Sequence, residues 1–385
     1  MRRPERWNIS QEVTTMIEPR RNIKNLNRMR DFGSNREQIV RLDKNERIEP
    51  FTRKQFSELM SLITPGLLTM YPDQTPLYAK LAAFLGVSEK KILLTPGSDS
   101  AIKTIFETYV SPGDSVVFLD PTYAMVDVYA HMFEAEITKV GYFPDLRFKF
   151  PELIAAINDK TRLVYIANPN QPTSTLFTKT EFETLLKKTA EAGALLVVDE
   201  AYIDFACPGY STPGYVEKYD NLMITRTFSK AFGLAAVRLG YIVTHEKNVE
   251  YLFRVKPLAD INLFAVKYGE YLLDNYEIVE SYVAGVMQGK ELIKKRMAEL
   301  GFTCIDGHTN FIHIRIPENY DAGTLAQKLK ERGFVVRSTG MGLPAVIEGC
   351  IRITAGPEKT MRKFLAVFEE ILPEGKKRTE NVTKR

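Results

Sequence analysis

Cysteine, histidine and tryptophan are scarce in this chain: three, four and one among 385 residues. Cys207, Cys304 and Cys350 are odd in number and far apart, which excludes a disulfide framework and fits free thiols in a reducing, cytoplasmic compartment. The four histidines fall at no metal-ligand spacing, so no metal site is expected. Long apolar runs are missing as well. No segment reaches membrane-spanning length, and Met1-Arg2-Arg3-Pro4-Glu5-Arg6-Trp7 has no apolar stretch behind its basic residues, so neither a membrane span, a secretory signal nor an anchor is expected. A formal net charge of +4 does not mark a nucleic-acid binder, and there is no DNA-binding extension or internal repeat. The sequon Asn381-Val382-Thr383 lies in a basic tail and is read as chance.

What remains is ordinary globular material, 44% hydrophobic and 26% charged, long enough for two or three domains. Residues 1–36 are polar and Arg-rich, including Arg20 and Arg21, and read as an arm. Residues 37–75 read as a small-domain or dimer-interface segment, 76–270 as a large domain, 271–374 as a smaller one and 375–385 as a disordered tail.

In the large domain short apolar runs alternate with amphipathic ones: 91–94, 115–119, 163–166, 194–198, 222–224 and 239–243. Runs apolar on both faces fit a mostly parallel sheet covered by helices, hence an α/β fold. Helical spacing covers 76–85, 99–109 and 180–192, the last with Thr180 and Glu183 as a capping box. A long helical stretch is expected over 251–300. Strands at 309–315, 333–337 and 350–354 and a helix at 361–372 make the smaller domain α+β.

The chemically suggestive residues fall where strands stop, the place where doubly wound sheets bind ligands. Lys230 follows the run 222–224 and has the setting of an amine for Schiff-base chemistry, although an ordinary helix-start lysine satisfies the same local pattern. Gly97, Ser98 and Asp99 open a helix whose amides can meet an anion, or simply form a capped start. Tyr123 sits where it can stack on a planar ring or fill core. Asp199 is a carboxylate behind an apolar strand that needs a cationic or hydrogen-bonding partner, such as a protonated ring nitrogen, although a helix cap or a structural ion pair satisfies the same pattern. Asn170 and Gln171, between prolines, offer uncharged donors.

An anion cradle, a stacking ring, a buried carboxylate, an amide donor and a reactive lysine together form the inventory for pyridoxal 5′-phosphate. From Leu42-Asp43-Lys44-Asn45-Glu46 through Tyr71-Pro72-Asp73 to Ile351-Arg352-Ile353-Thr354, the chain resembles fold-type I aminotransferases, most of all the histidinol-phosphate aminotransferase family. The resemblance implies a large domain with a mostly parallel sheet flanked by helices plus a smaller α+β domain. It implies an internal aldimine at Lys230, which also shuttles a proton, Asp199 on the ring nitrogen, Tyr202 with Asn170 and Gln171 near the phenolic oxygen, and Tyr123 stacked on the ring. It further implies Gly97, Ser98, Asp99, Thr227, Ser229 and Arg238 around the phosphate, and Tyr71 reaching the site of a second subunit in a homodimer. Asn45, Arg337 and Arg352 are then substrate-binding, with Arg352 gripping a carboxylate and Arg337 a phosphate.

Two departures stand out. Gln171-Pro172-Thr173-Ser174 replaces the family's Asn-Pro-Thr-Gly, and Ser174 in place of glycine implies a backbone that avoids positive φ. Ser98-Asp99-Ser100-Ala101 lacks the acidic residue common at its third place. Both widen the expected substrate to a small phosphorylated or acidic amino compound exchanging its amino group with a 2-oxo acid such as 2-oxoglutarate. The alternative on the same scaffold is decarboxylation of an O-phospho-amino acid.

Overall fold

The computed structural model describes residues 17–24, 26, 36–206, 209–338, 344 and 346–372. Most of the expected arm, the tail after residue 375 and Cys207 lie outside the described residues. The first strand, Val40–Arg41 (β1), is short. Seven strands then build the main sheet: Ile92–Thr95 (β2), Ser115–Leu119 (β3), Glu136–Val140 (β4), Thr161–Ala167 (β5), Leu195–Asp199 (β6), Leu222–Thr227 (β7) and Gly240–Thr244 (β8). Their order is β2-β8-β7-β6-β5-β3-β4, and only β8 runs against its neighbours.

Alternate residues of these strands feed two cores. Val116, Leu163, Tyr165 and Val197 pack on one side of the sheet, and Val117, Val164, Leu196 and Val198 on the other. Period-two alternation with both faces apolar accounts for the continuous apolar runs in the sequence. The edge strand β4 gives no such run. Its residues Glu136, Thr138 and Lys139 are exposed, and charge at an edge discourages pairing with other chains.

A four-stranded antiparallel sheet is built by Thr303–Ile305 (β9), Phe311–Arg315 (β10), Arg337–Ser338 (β12) and Cys350–Thr354 (β13), in the order β12-β13-β10-β9. The run 333–337, expected as one strand, divides: Phe334–Val335 (β11) pairs in parallel with β1, and the chain then crosses to β13. The helical stretch 251–300 is likewise interrupted. Its helices are Glu246–Val255, Leu263–Asp274 and Glu277–Glu299, and Pro257 and the Asn262 cap, whose side chain accepts from the Ala265 amide at 2.9 Å, fix the first break.

The capping box of the helix Lys179–Glu191 is formed by Thr178 and Glu181, not Thr180 and Glu183. Thr178 is extended and its hydroxyl oxygen accepts from the Glu181 amide at 3.2 Å, while Thr180 already lies inside the helix.

Candidate active site

The carboxyl ends of β2, β3, β5, β6 and β7 open on a cavity of about 420 Å³, closed on its far side by the four-stranded sheet and by residues 43–46. Ser98, Asp99, Tyr123, Gln171, Asp199, Tyr202, Thr227, Ser229, Lys230 and Arg238 line it from the large sheet, and Asn45, Arg337 and Arg352 from the other side.

Close backbone packing shapes one end. Gly97 has φ +85°, and a Cβ there would stand 2.6 Å from an Arg238 guanidinium nitrogen. A Cβ on Gly240 would stand 2.6 Å from the Gly97 carbonyl carbon. These two positions therefore require glycine, and their absent side chains let Arg238 lie against the start of the helix Ser98–Tyr109. That start has no side-chain cap, so its first amides remain available to an anion. Arg238 Nη1 donates to Ser229 Oγ at 3.3 Å, and the Ser229 amide donates to Thr227 Oγ1 at 3.1 Å, which gathers two hydroxyls at the same end.

The Asp99 carboxylate takes no part in that cradle. It accepts from the Tyr123 hydroxyl at 3.2 Å and the Tyr129 hydroxyl at 2.8 Å. Tyr123 is thereby fixed in the cavity wall, and burial, followed by the charges of Asp99 and Asp199, raises its pKa.

Asp199 is only 5% exposed. Tyr165 donates to its Oδ2 at 3.0 Å, while Thr225 Oγ1 and the Ala201 amide donate to Oδ1 at 3.1 and 3.2 Å. Burial nevertheless outweighs these bonds and the Lys230 charge, raising its pKa to about 6. Such a carboxyl is stabilised as an anion by a cation placed against it. Its chain neighbour Glu200 is already satisfied: it accepts from Arg226 Nε at 2.8 Å in a buried ion pair and also holds Thr212.

Lys230 Nζ donates to the Lys44 carbonyl at 3.2 Å and lies 5.4 Å from the Tyr202 ring centroid. On the opposite wall, Arg352 Nη2 donates to the Asp43 carbonyl at 2.8 Å, and the guanidinium stands 5.2 Å from the Phe311 ring centroid. Arg337 is opposite Arg352 in the β12/β13 register, so both face the same side of the sheet.

Two sequence expectations change here, those for Asn170 and Ser174. Asn170 does not reach the cavity: it is fully buried, its amide donates to the Pro121 carbonyl, Tyr142 and Thr173, and its oxygen accepts from Thr122. Gln171 lines the cavity, and among the described residues its amide makes no hydrogen bond. Ser174 does adopt positive φ, 63°, held there by a 2.6 Å contact between Ser174 Oγ and Thr309 Oγ1 and by donation of the His308 amide to its carbonyl at 3.0 Å. Tyr71 is 85% exposed and does not line this chain's cavity. Asp43, Lys44 and Glu46 line the cavity without having been singled out as site residues. The signal was their adjacency to Asn45.

Residues 50–368 match the family model for aminotransferase class I and II. Histidinol-phosphate aminotransferase 1 of Carboxydothermus hydrogenoformans is 33% identical over 336 residues, spanning 86% of this chain and 93% of the relative. The crystal structure of histidinol-phosphate aminotransferase from Sinorhizobium meliloti in complex with pyridoxal-5'-phosphate superposes with a TM-score of 0.79 at 23% identity, covering 94% of this chain and all of that one. L-threonine-O-3-phosphate decarboxylase from Porphyromonas gingivalis, 20% identical, superposes with a TM-score of 0.72, covering 86% and 99%. The fold is thus shared by proteins named for different reactions. The cavity fits pyridoxal phosphate on its own chemistry: uncapped amides and a guanidinium for a phosphate, a buried carboxyl in want of a cation, and an amine. On the family match and the extent of the likeness, the chain belongs to the aminotransferase class I and II family and is a pyridoxal-phosphate-dependent aminotransferase resembling histidinol-phosphate aminotransferases.

Proposed function

We propose that the enzyme exchanges an amino group between a small phosphorylated or acidic amino compound and a 2-oxo acid, with glutamate and 2-oxoglutarate as one substrate pair. The adjacency of Arg337 and Arg352 on one face of the four-stranded sheet, across the cavity from Lys230, carries this reading. Both half-reactions use the same cavity, and two guanidiniums accommodate either two carboxylates or a phosphate by bidentate hydrogen bonding. Histidinol phosphate, the compound in the relatives' names, is the first phosphorylated substrate to try.

When bound, pyridoxal phosphate supplies an electron sink for negative charge at the substrate Cα. The amides of Ser98 and Asp99, with Thr227, Ser229 and Arg238, would hold its phosphate, Tyr123 would stack on its ring, and Asp199 would pair with its ring nitrogen. Tyr202 and Gln171 would hydrogen-bond its phenolic oxygen. Lys230 Nζ would hold the cofactor covalently and, once released, would accept the proton from the substrate Cα and keep it for return during the transfer. Arg352 grips the substrate carboxylate and Arg337 its distal anion, with Asn45 bracing Tyr202.

We place the cofactor in the unit spanning 76–270 and the substrate arginines in the unit spanning 271–374. The enzyme acts in this reading as a cytoplasmic homodimer in which Tyr71 reaches the second site; the exposed Phe56, Leu68, Met70 and Tyr71 support that pairing. Mixing the holoenzyme with glutamate alone tests the reaction class. Conversion of the pyridoxal absorption to that of the pyridoxamine form is expected, reversed by 2-oxoglutarate. Carbon dioxide release from O-phosphothreonine without that conversion would instead make the enzyme a decarboxylase.

A further inference from the structure

The β12, β13 and β10 strands set Arg337, Arg352 and His313 opposite one another in register, with Ile305 of β9 beyond. Directly opposed residues of antiparallel strands share a face, so the three side chains form one row. Two of them are accounted for as substrate guanidiniums. His313 is not: it is fully buried and does not line the cavity, where an aliphatic residue would serve packing as well.

Its hydrogen bonding is specific. His313 Nε2 lies 2.8 Å from the Pro172 carbonyl oxygen. A carbonyl only accepts, so the proton resides on Nε2 and Nδ1 is left as an acceptor. Nδ1 and the Nε of Arg352, on the neighbouring strand, are both buried and without partners among the described residues. Burial, with Arg352 alongside, pushes the imidazole pKa down to about 4 and keeps it neutral.

Pro172 directly follows Gln171, which lines the cavity. On the side of the large sheet their loop is held through Asn170, by Pro121, Thr122 and Tyr142. Pro172 has no amide hydrogen to contribute, and among the described residues the loop's bonds to β10 and the segment leading into it are the one from His313 and the two contacts of Ser174 with His308 and Thr309. We propose that His313 is a positioning residue that ties the loop carrying Gln171 to the sheet carrying Arg352, fixing the spacing between the cofactor-facing and substrate-facing walls. The inference rests on the roles assigned above to Gln171 and Arg352.

Leucine at 313 fills the volume but leaves the Pro172 carbonyl unbonded, whereas glutamine restores an N–H near the place of Nε2. His313→Leu and His313→Gln holoenzymes are compared with the parent by the pH midpoint of the bound cofactor's absorption change, by KM and kcat for glutamate, and by thermal denaturation. His313→Leu is expected to shift the midpoint by about one pH unit and raise KM about tenfold, with kcat changed less than about threefold. His313→Gln is expected to return both to within about twofold of the parent. Gln171→Ala should move the midpoint in the same direction, and adding His313→Leu should move it no further, since coupled positions are non-additive.

A leucine variant that loses only thermal stability, or a double variant whose shifts add, overturns the proposal. Should His313→Leu fail to fold, the glutamine variant and the tautomer decide: nitrogen NMR of labelled histidine in the parent holoenzyme must show the proton on Nε2, and a proton on Nδ1 overturns the proposal. Failure of the aminotransferase reading is distinguishable, because the parent would then exchange no amino group with glutamate while the midpoint and tautomer stayed measurable.

Discussion

The Asn45 amide donates to the Tyr202 hydroxyl at 2.9 Å, joining the segment before β2 to the carboxyl end of β6. Asn45 occupies the left-handed region at φ 57°, and its amide nitrogen donates to Thr354 Oγ1 at 3.0 Å, so backbone and side chain are both committed. The Tyr202 hydroxyl keeps its own proton for a partner in the cavity. Asn45→Gly preserves the backbone conformation and removes only the side chain. It should lower kcat/KM about ten- to hundredfold and stability by roughly 1–2 kcal/mol, measured by donor-saturation kinetics and urea denaturation.

Ser174 provides a paired comparison. Its φ of 63° is unfavourable for a residue with a Cβ, and its hydroxyl contact with Thr309 offsets that cost. Ser174→Ala keeps the strain and loses the contact, and should destabilise by about 1–2 kcal/mol. Ser174→Gly loses the contact but relieves the strain, so its denaturation midpoint should fall closer to the parent's. Equal losses in the two variants would show that the backbone strain is negligible.

Where strands end was legible because buried parallel strands leave uninterrupted apolar runs, and Lys230 and Asp199 were found by their places beside such runs, whereas Arg352 was found only through the family resemblance. The run 309–315 was also legible as a strand, and Phe311–Arg315 forms β10. The edge strand β4 was not legible, since one exposed face mixed with charge looks like loop. Nor do two adjacent amides in the loop 168–174 reveal which of them turns inward. That depends on Pro121 and Tyr142, distant in sequence, capturing Asn170 and leaving Gln171 to the cavity.

The two arginines should separate by substrate. Arg352 is buried and its pKa is lowered chiefly by burial, so replacing the planar fork by a point charge removes its bidentate grip. Arg352→Lys should raise KM about tenfold or more for every amino acid donor tested. Arg337 is exposed at the rim, and Arg337→Ala should raise KM mainly for phosphorylated or dicarboxylic substrates while sparing alanine. Steady-state kinetics with glutamate, alanine and histidinol phosphate reads both effects.

Lys230 stands 5.4 Å from the Tyr202 ring centroid at the mouth of β7, within the cavity that takes the cofactor. Lys230→Ala should retain pyridoxal phosphate non-covalently through the phosphate end, with borohydride reduction leaving no label on the protein. Amino transfer should fall by about a thousandfold or more, because both the covalent link and the proton carrier are lost. An unchanged cofactor spectrum in this variant would remove Lys230 from the mechanism.

Asp199 couples catalysis to stability with a sign that depends on the cofactor. Its pKa in the folded protein, about 6, lies above that of an unfolded aspartate, about 3.9. Its contribution is therefore most favourable below the unfolded value and is lost as pH rises through the folded one. At pH 8 the ionised, buried group costs the apoprotein on the order of 3 kcal/mol. Asp199→Asn removes that cost, so the apo variant should be more stable than the parent by roughly 1–3 kcal/mol at pH 8, with the difference shrinking as pH approaches about 4. Adding pyridoxal phosphate supplies the missing cation, and the order should then reverse, the parent gaining more from the cofactor than the variant. Amino transfer should meanwhile fall about a hundredfold or more in the variant, for an amide does not hold a proton on the ring nitrogen. Thermal denaturation at two pH values, with and without cofactor, reads all four states. A variant less stable than the parent as apoprotein at high pH would show that the hydrogen bonds from Tyr165, Thr225 and Ala201 outweigh burial, and would leave Asp199 no need of a cationic partner.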